Sequence, residues 1–254
     1  YWNPFTAIRW LAGRAIPASK GSGKAATAGY AFFETRAGYN FVSYDYFARQ
    51  APVTRMVVGH EKEEMEEDND KGITAVDKVT IESSVDLFKG LNYGSYSSNV
   101  MTLDLANMKF EQHPFSINKY YKDVNVMNSR KTPEFYKGFD TQVTYTRIMT
   151  KISDSALFTE GEYTQGFTKQ LSQSSLREKL FYNKKVTVEL VSDYQLEIGE
   201  VVQLDIYKGS SDRKQDFTNS GKYVIGKVER TFKTSEDKMS TRLTLYTDSD
   251  GAES

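Results

Sequence analysis

The sequence predicts an α+β protein whose C-terminal part is a small antiparallel barrel or sandwich, with helices and hairpins inserted around it. Four runs of period-two alternation, KKVTVELV, IGEVVQLDIY, GKYVIGKVERTF and TRLTLYTD, follow one another from residue 184 onward, separated by Gly, Asn, Asp and Ser turns. Aromatic residues make up 13% of the chain, with 17 Tyr against 2 Trp. Many of these Tyr fall in alternating runs, where a half-buried ring with a wet hydroxyl fits a pleated surface. Helical spacing is confined to a few short upstream segments.

From the N-terminus, residues 4–16 (PFTAIRWLAGRAI) place Phe5, Ile8, Leu11 and Ala15 at helical spacing behind a proline in the first turn, and Pro17 is expected to stop the helix. PASKGSGKAATAG is small, polar and Gly-rich, a loop. GYAFFET and YNFVSYDYF flank the short turn RAG and predict a hairpin. EKEEMEEDND, residues 61–70, would repel itself if packed and reads as a solvated acidic loop. VDKVTIESS predicts a short strand, and VDLFKGL a helix with Val85, Phe88 and Leu91 on one face. NVMTLDLANMKFEQHPF predicts two strands around a turn near Ala106–Asn107, the second ended by Pro114. TQVTYTRIM predicts a strand, and FTKQLSQSSLREKLFYN a helix.

The final hairpin is the most informative. Leu243 and Leu245 alternate with Arg242, Thr244 and Tyr246, so one face is apolar and the other polar. In the strand before it, Tyr223 and Ile225 lie on odd positions but Val224, Val228 and Phe232 on even ones. A β-bulge at Gly226 reconciles the two phases.

Composition narrows the function. With 33 basic and 34 acidic residues the net charge is −1, without the basic excess that sequence-independent phosphate binding uses. Cysteine is absent, which removes disulfides, thiolate metal sites and Cys nucleophiles, and fits assembly in a reducing cytoplasm. No run approaches the roughly 18 apolar residues of a membrane span, and no signal peptide opens the chain, so it reads as soluble. It begins at Tyr1 without an initiator Met, and the expectation is that an upstream region is missing.

Candidate chemistry is thin. SKGSGKA fails the phosphate-loop spacing, because a motif ending at Gly23-Lys24 needs Gly where Ala18 stands and Ser or Thr where Ala25 stands. The acidic run lacks the alternating ligands and central glycine of a calcium loop. His60 and His113 are the two histidines, far apart and in no nucleophile context, and both are read as structural or solvent-facing. No catalytic, cofactor-binding or metal residue is assigned: the expectation is a protein that is not an enzyme and uses no cofactor. Tyr-rich strands admit sugar stacking, but packing within a sheet is preferred because these rings sit in strands rather than loops.

With the elements placed, VDLFKGLNYGSYSSNVMTLDLANMKF resembles the helix-then-strand segment of baseplate hub proteins of contractile-tailed, T-even-like bacteriophages, through Gly94, Tyr96, Ser97, Ser98 and Asp104. WNPFTAIRWLAGRAI with AGYAFFETRAGYNFVSYDYF resembles that family's helix and aromatic hairpin. The closing strands are similar too, through Ile198-Gly199, Ser220-Gly221-Lys222-Tyr223 and the last strand ending in Asp248. The resemblance implies a tail-tube-type antiparallel β-barrel formed by 72–118 and 168–254 and closed by the C-terminal hairpin. Residues 1–71 and 119–167 become an inserted α+β region holding the helix, the aromatic hairpin and the acidic loop, and an upstream domain is expected to be missing. It also implies a structural role in the virion, in the tail baseplate, after assembly in the host cytoplasm. There the chain would be a homotrimeric adaptor joining the sixfold tail tube to the threefold central spike. The implied partners are the chain itself, the tail tube protein, the central spike protein and other baseplate proteins, with DNA only as passing cargo and no membrane insertion. The alternative reading is an aromatic-rich glycan-binding domain of a tail fibre or cell-surface protein.

Overall fold

A computed structural model describes residues 2–13, 15, 29–59, 73–83, 96–104, 108–116, 124–131, 147–153, 174, 176–182, 184–191, 195–207, 215–234 and 238–251. The described chain is mostly β-strand with few helices. The order is α1 (Pro4–Ala12), β1 (Tyr30–Thr35), β2 (Gly38–Ser43), α2 (Tyr44–Arg49), β3 (Thr54–Val58), β4 (Ile73–Ala75), β5 (Lys78–Ser83), β6 (Ser97–Asp104), β7 (Lys109–Ser116), β8 (Arg130–Lys131), β9 (Arg147–Ser153), β10 (Lys184–Leu190), β11 (Val201–Ile206), β12 (Gly221–Lys233), β13 (Lys238–Thr247) and β14 (Ser249–Asp250). Residues 176–181 are also helical. The Gly-rich loop, the acidic run with His60, and the predicted helix VDLFKGL lie outside the described residues.

The main sheet has seven strands in the order β4-β3-β11-β12-β13-β10-β5. Its two outermost strands are neighbours in sequence, joined by Val76 and Asp77 alone. Laid flat, seven strands at about 4.8 Å spacing would hold those edges about 29 Å apart, whereas the link from Ala75 to Lys78 spans at most about 10 Å. The sheet is therefore strongly rolled, so that the ends of its two outermost strands approach each other at this link. The handover takes one residue: Val76 N–H donates to Val57 C=O on β3 at 3.0 Å, and Asp77 N–H donates to Glu189 C=O on β10 at 3.0 Å.

Rolling gives the sheet an inside and an outside, and alternation sorts the side chains between them. Met56, Val186, Val188, Leu190, Val202, Leu204, Tyr223, Ile225, Leu243 and Leu245 form one buried apolar cluster. Arg242, Glu189, Lys185 and Lys227 stay outside and pair with acids or bases on the same or the adjacent strand. Leu243 and Leu245 are the core residues the alternation predicts, and both are fully buried. The bulge is also where the phase change places it: the β12–β13 register shifts between Ile225 and Lys227. Gly226 is needed there because a β-carbon would collide with the Tyr246 ring lying across the bulge.

Several expectations need correction. The sheet is not all antiparallel: β3, which the alternation search overlooks, pairs in parallel with both β11 and β4. The TRMVV run has three consecutive apolar residues after Thr54 and Arg55, too short to carry an alternation, and it buries Met56 and Val57 together. β3 falls within 1–71 and yet pairs into the main sheet, while β6 and β7 pair with β9 in a separate three-stranded sheet of order β7-β6-β9. Pro114 does not end its strand but sits inside β7 opposite Asn99. β7 is an edge strand, where a missing amide donor is tolerated. YDYF does not prolong β2 but forms α2, because Tyr44, Phe47 and Ala48 at i, i+3 and i+4 turn one side toward the rolled sheet. Helix α1 stops at Ala12, before Pro17, with the Gly13 amide capping back onto Arg9 C=O at 3.3 Å.

Candidate functional site

On the β1–β2 hairpin, alternation gives two apolar faces instead of one. Ala31, Phe33 and Val42 point inward, against the outer side of the rolled sheet, where Val201, Val224 and Tyr246 emerge, and join Tyr44, Phe47, Met127 and Phe181 in a second buried cluster. The same contact fixes Gly199, whose φ of +88° suits glycine and whose missing β-carbon leaves room for the Phe33 ring. Tyr30, Phe32, Tyr39 and Phe41 point the other way. Tyr30 stacks on Phe41 at 4.8 Å between centroids, and Phe32 on Tyr39 at 5.7 Å.

Helix α1 extends this outward aromatic face. Phe5 reaches Phe32 at 6.1 Å, and Trp2 meets Trp10 edge-on at 5.8 Å. Apolar residues on α1 have little to cover them: of its nine residues, Ala12 alone is buried. Between α1, β1, α2 and the 176–181 helix lies a cavity of about 430 Å³, lined in part by Phe5, Tyr30, Phe32, Tyr44, Tyr182 and Glu178. At its mouth Arg9 stands 3.9 Å from Glu178. Burial pushes the Tyr44 hydroxyl's pKa well above the ordinary phenol value of 10.0, helped by its neighbour Tyr182. Tyr182 is raised too, again chiefly by burial. Both rings are held neutral.

A buried polar clamp ties this aromatic layer to the rolled sheet. Arg177, fully buried on the 176–181 helix, donates from Nη1 to Asp248 Oδ2 at 2.7 Å and from Nη2 to Asn125 C=O at 2.8 Å, with Asp45 Oδ1 at 3.5 Å. Asp248 Oδ1 also accepts from Met127 N–H at 3.0 Å and Ser249 Oγ at 2.8 Å. Beside it, Asn128 Nδ2 donates to Lys222 C=O, Thr247 Oγ1 and Ser249 C=O, and its Oδ1 accepts from Lys222 N–H at 2.7 Å. Charges taken out of water require partners on all sides, and here the partners come from α2, residues 125–128 and the end of β13. Its described partners are all groups of the protein itself.

The sequence placed no functional residue, and no group of three or more metal-ligating side chains occurs among the described residues. His113 lies on β7, paired across from Val100. The Tyr-rich segments divide as neither packing nor stacking alone predicts, with Phe33 and Tyr44 packed and Tyr30, Phe32, Tyr39 and Phe41 turned outward. The signal for this was legible: five aromatics fall within residues 30–41, on both parities of a hairpin that has one sheet to cover.

No family model and no curated protein matches the chain. Among solved structures it is similar to the tail protein from Neisseria meningitidis MC58, with 10% identity over 97% of this chain and 56% of that chain and a TM-score of 0.48. It is also similar to a structure of the phage P2 baseplate in its activated conformation with Ca, with 14% identity over 87% of this chain and 50% of that chain and a TM-score of 0.22. The chain spans about half the length of each.

Proposed function

We propose that this chain is a structural subunit of a phage tail baseplate hub, a homotrimeric adaptor between a sixfold tail tube and a threefold central spike, without catalytic role or cofactor. The rolled sheet carries the reading. On this reading β4 and β5 count as one bent strand of a six-stranded tube-type barrel, whose inner face is filled by apolar side chains and whose outer face carries ion pairs and the hairpin layer. Such a wall suits standing beside other walls. The order of the three resembling sequence segments supports the same reading. Partners on this proposal are identical copies, the tail tube protein, the spike and other baseplate proteins, with DNA passing through. Native mass measurement and negative-stain imaging test it: threefold particles of tube-like diameter are expected. A chain that stays monomeric and ignores tube and spike proteins would overturn it.

One observation favours a second reading. The stacked, outward Tyr30–Phe41 and Phe32–Tyr39 pairs could lie against sugar faces, which fits a glycan-binding domain of a tail fibre or cell-surface protein. A glycan array in which Tyr39→Ala abolishes a specific signal would establish it, and a blank array would remove it.

A further inference from the structure

We infer that the outward aromatic face of α1 and the β1–β2 hairpin is the surface on which a second copy of this chain docks. The inference rests on the homotrimer reading above and assigns its contact.

Area is the first ground. Trp2, Phe5, Trp10, Tyr39 and Phe41 keep 62, 61, 39, 67 and 43% of their surface exposed. At roughly 200 Å² per aromatic side chain these five leave about 550 Å² open, before the partly exposed Tyr30 and Phe32 are added. That is at the upper end of the ~300–600 Å² of the largest apolar patch on an ordinary monomer, and it approaches the ~800 Å² per partner that a standard protein interface covers. The patch is continuous through Tyr39, Phe32 and Phe5, whose rings touch in sequence.

Charge is the second. The rim carries both signs, Arg9 beside Glu178 and Arg36 bonded to Glu197 at 2.9 Å. A nucleic acid or an anionic membrane would call for an excess of basic groups around the rings, and among the described residues these rim charges are paired with acids. The same rim does not repel a second copy, whose net charge is −1. The cavity beside Phe5, Tyr30 and Phe32 adjoins the patch and supplies a socket in which an anchoring side chain would be desolvated. In a threefold ring the contact is head-to-tail, so the neighbour brings a different surface to this one.

The test is association of the full chain by native mass measurement and sedimentation across a concentration series, for the unaltered chain, a Tyr39→Glu/Phe41→Glu double variant, and Val191→Glu as an exposed apolar control outside the patch. The expected result is an oligomer for the unaltered chain and the control, and a dissociation constant weakened roughly hundredfold or more for the double variant, as loss of two aromatic anchors implies. If all three associate equally, the aromatic face is not the contact and the homotrimer reading survives. If the unaltered chain is monomeric throughout, both fall. Should the double variant fail to fold, Tyr39→Cys supplies the readout in a chain that has no other cysteine. Its thiol is expected to resist maleimide in the oligomer and to react on dilution, and equal reactivity in both states overturns the proposal.

Discussion

The rolled sheet and the aromatic hairpin solve the same problem with opposite outcomes. Both are β-structure with alternating side chains, but the sheet curves around one parity, which forms its core, while the other parity meets water as ion pairs or lies under the hairpin layer. The hairpin lies flat on the sheet's outer side, so one parity packs and the other is left as bare aromatic surface. What distinguishes them is curvature: seven strands can enclose their own core, whereas two strands can cover something else but cannot cover themselves.

The largest test of this contrast removes the joint between the two regions. Arg177→Ala strands Asp248 and Asp45 as buried carboxylates without their cation, and is expected to cost about 3–5 kcal/mol in urea unfolding. A loss below about 1 kcal/mol would mean that the hairpin layer and the sheet are not held by this clamp. Next, Gly226→Ala sets a methyl against the Tyr246 ring and is expected to cost about 1–3 kcal/mol. Much of that should return in the Tyr246→Ala background, a coupling that a double-mutant cycle reads directly. Additive losses would place the strain elsewhere.

Alkaline titration separates the regions, because each has one deeply buried tyrosine. Tyr223 in the sheet core and Tyr44 in the hairpin layer both have phenol pKa values raised by burial above the 10.0 of the unfolded chain. A raised folded-state value means the folded protein holds its proton when the unfolded chain has lost it. The stabilisation is thus complete below pH 10 and declines as pH climbs above it, at up to about 1.4 kcal/mol per pH unit for each group. Unfolding followed by denaturant at pH 8 and at about pH 11 checks this against Tyr44→Phe and Tyr223→Phe, and each replacement should flatten the slope. Unchanged slopes would show that these hydroxyls reach water.

The smallest effect belongs to the outer wall. Glu189 accepts from Arg242 Nη2 at 2.8 Å across β10 and β13, but the pair is exposed. Arg242→Ala is expected to change stability by about 0.2–1 kcal/mol, less in high salt. A loss of several kcal/mol would mean that this face is covered in the folded chain.

Where a segment's alternation depends on its own residues, it could be read directly. Leu243 and Leu245 inside, Arg242 outside and the bulge at Gly226 all follow from period two and one glycine. β3 was missed because its three consecutive apolar residues are too few to carry an alternation, and Pro114 was misplaced because an edge is defined by the absence of a neighbour, which no local pattern records. The clamp was also out of reach: Arg177, Asp248 and Asp45 look like ordinary charges until the fold removes water from all three.

By itself the sequence determined the four C-terminal strands, the apolar parity of the final hairpin, and that the β1–β2 hairpin has aromatic residues on both faces. Tertiary structure alone decided that Val76 and Asp77 bond to opposite edges of one sheet, that three distant charges share a dry site, and which hairpin face stays open. The physical reason is range. Backbone propensity and alternation act over a few residues and are written in their order, whereas sheet curvature, burial of charge and exposure are relations between segments from about twenty to more than a hundred residues apart, set by the packing of the whole.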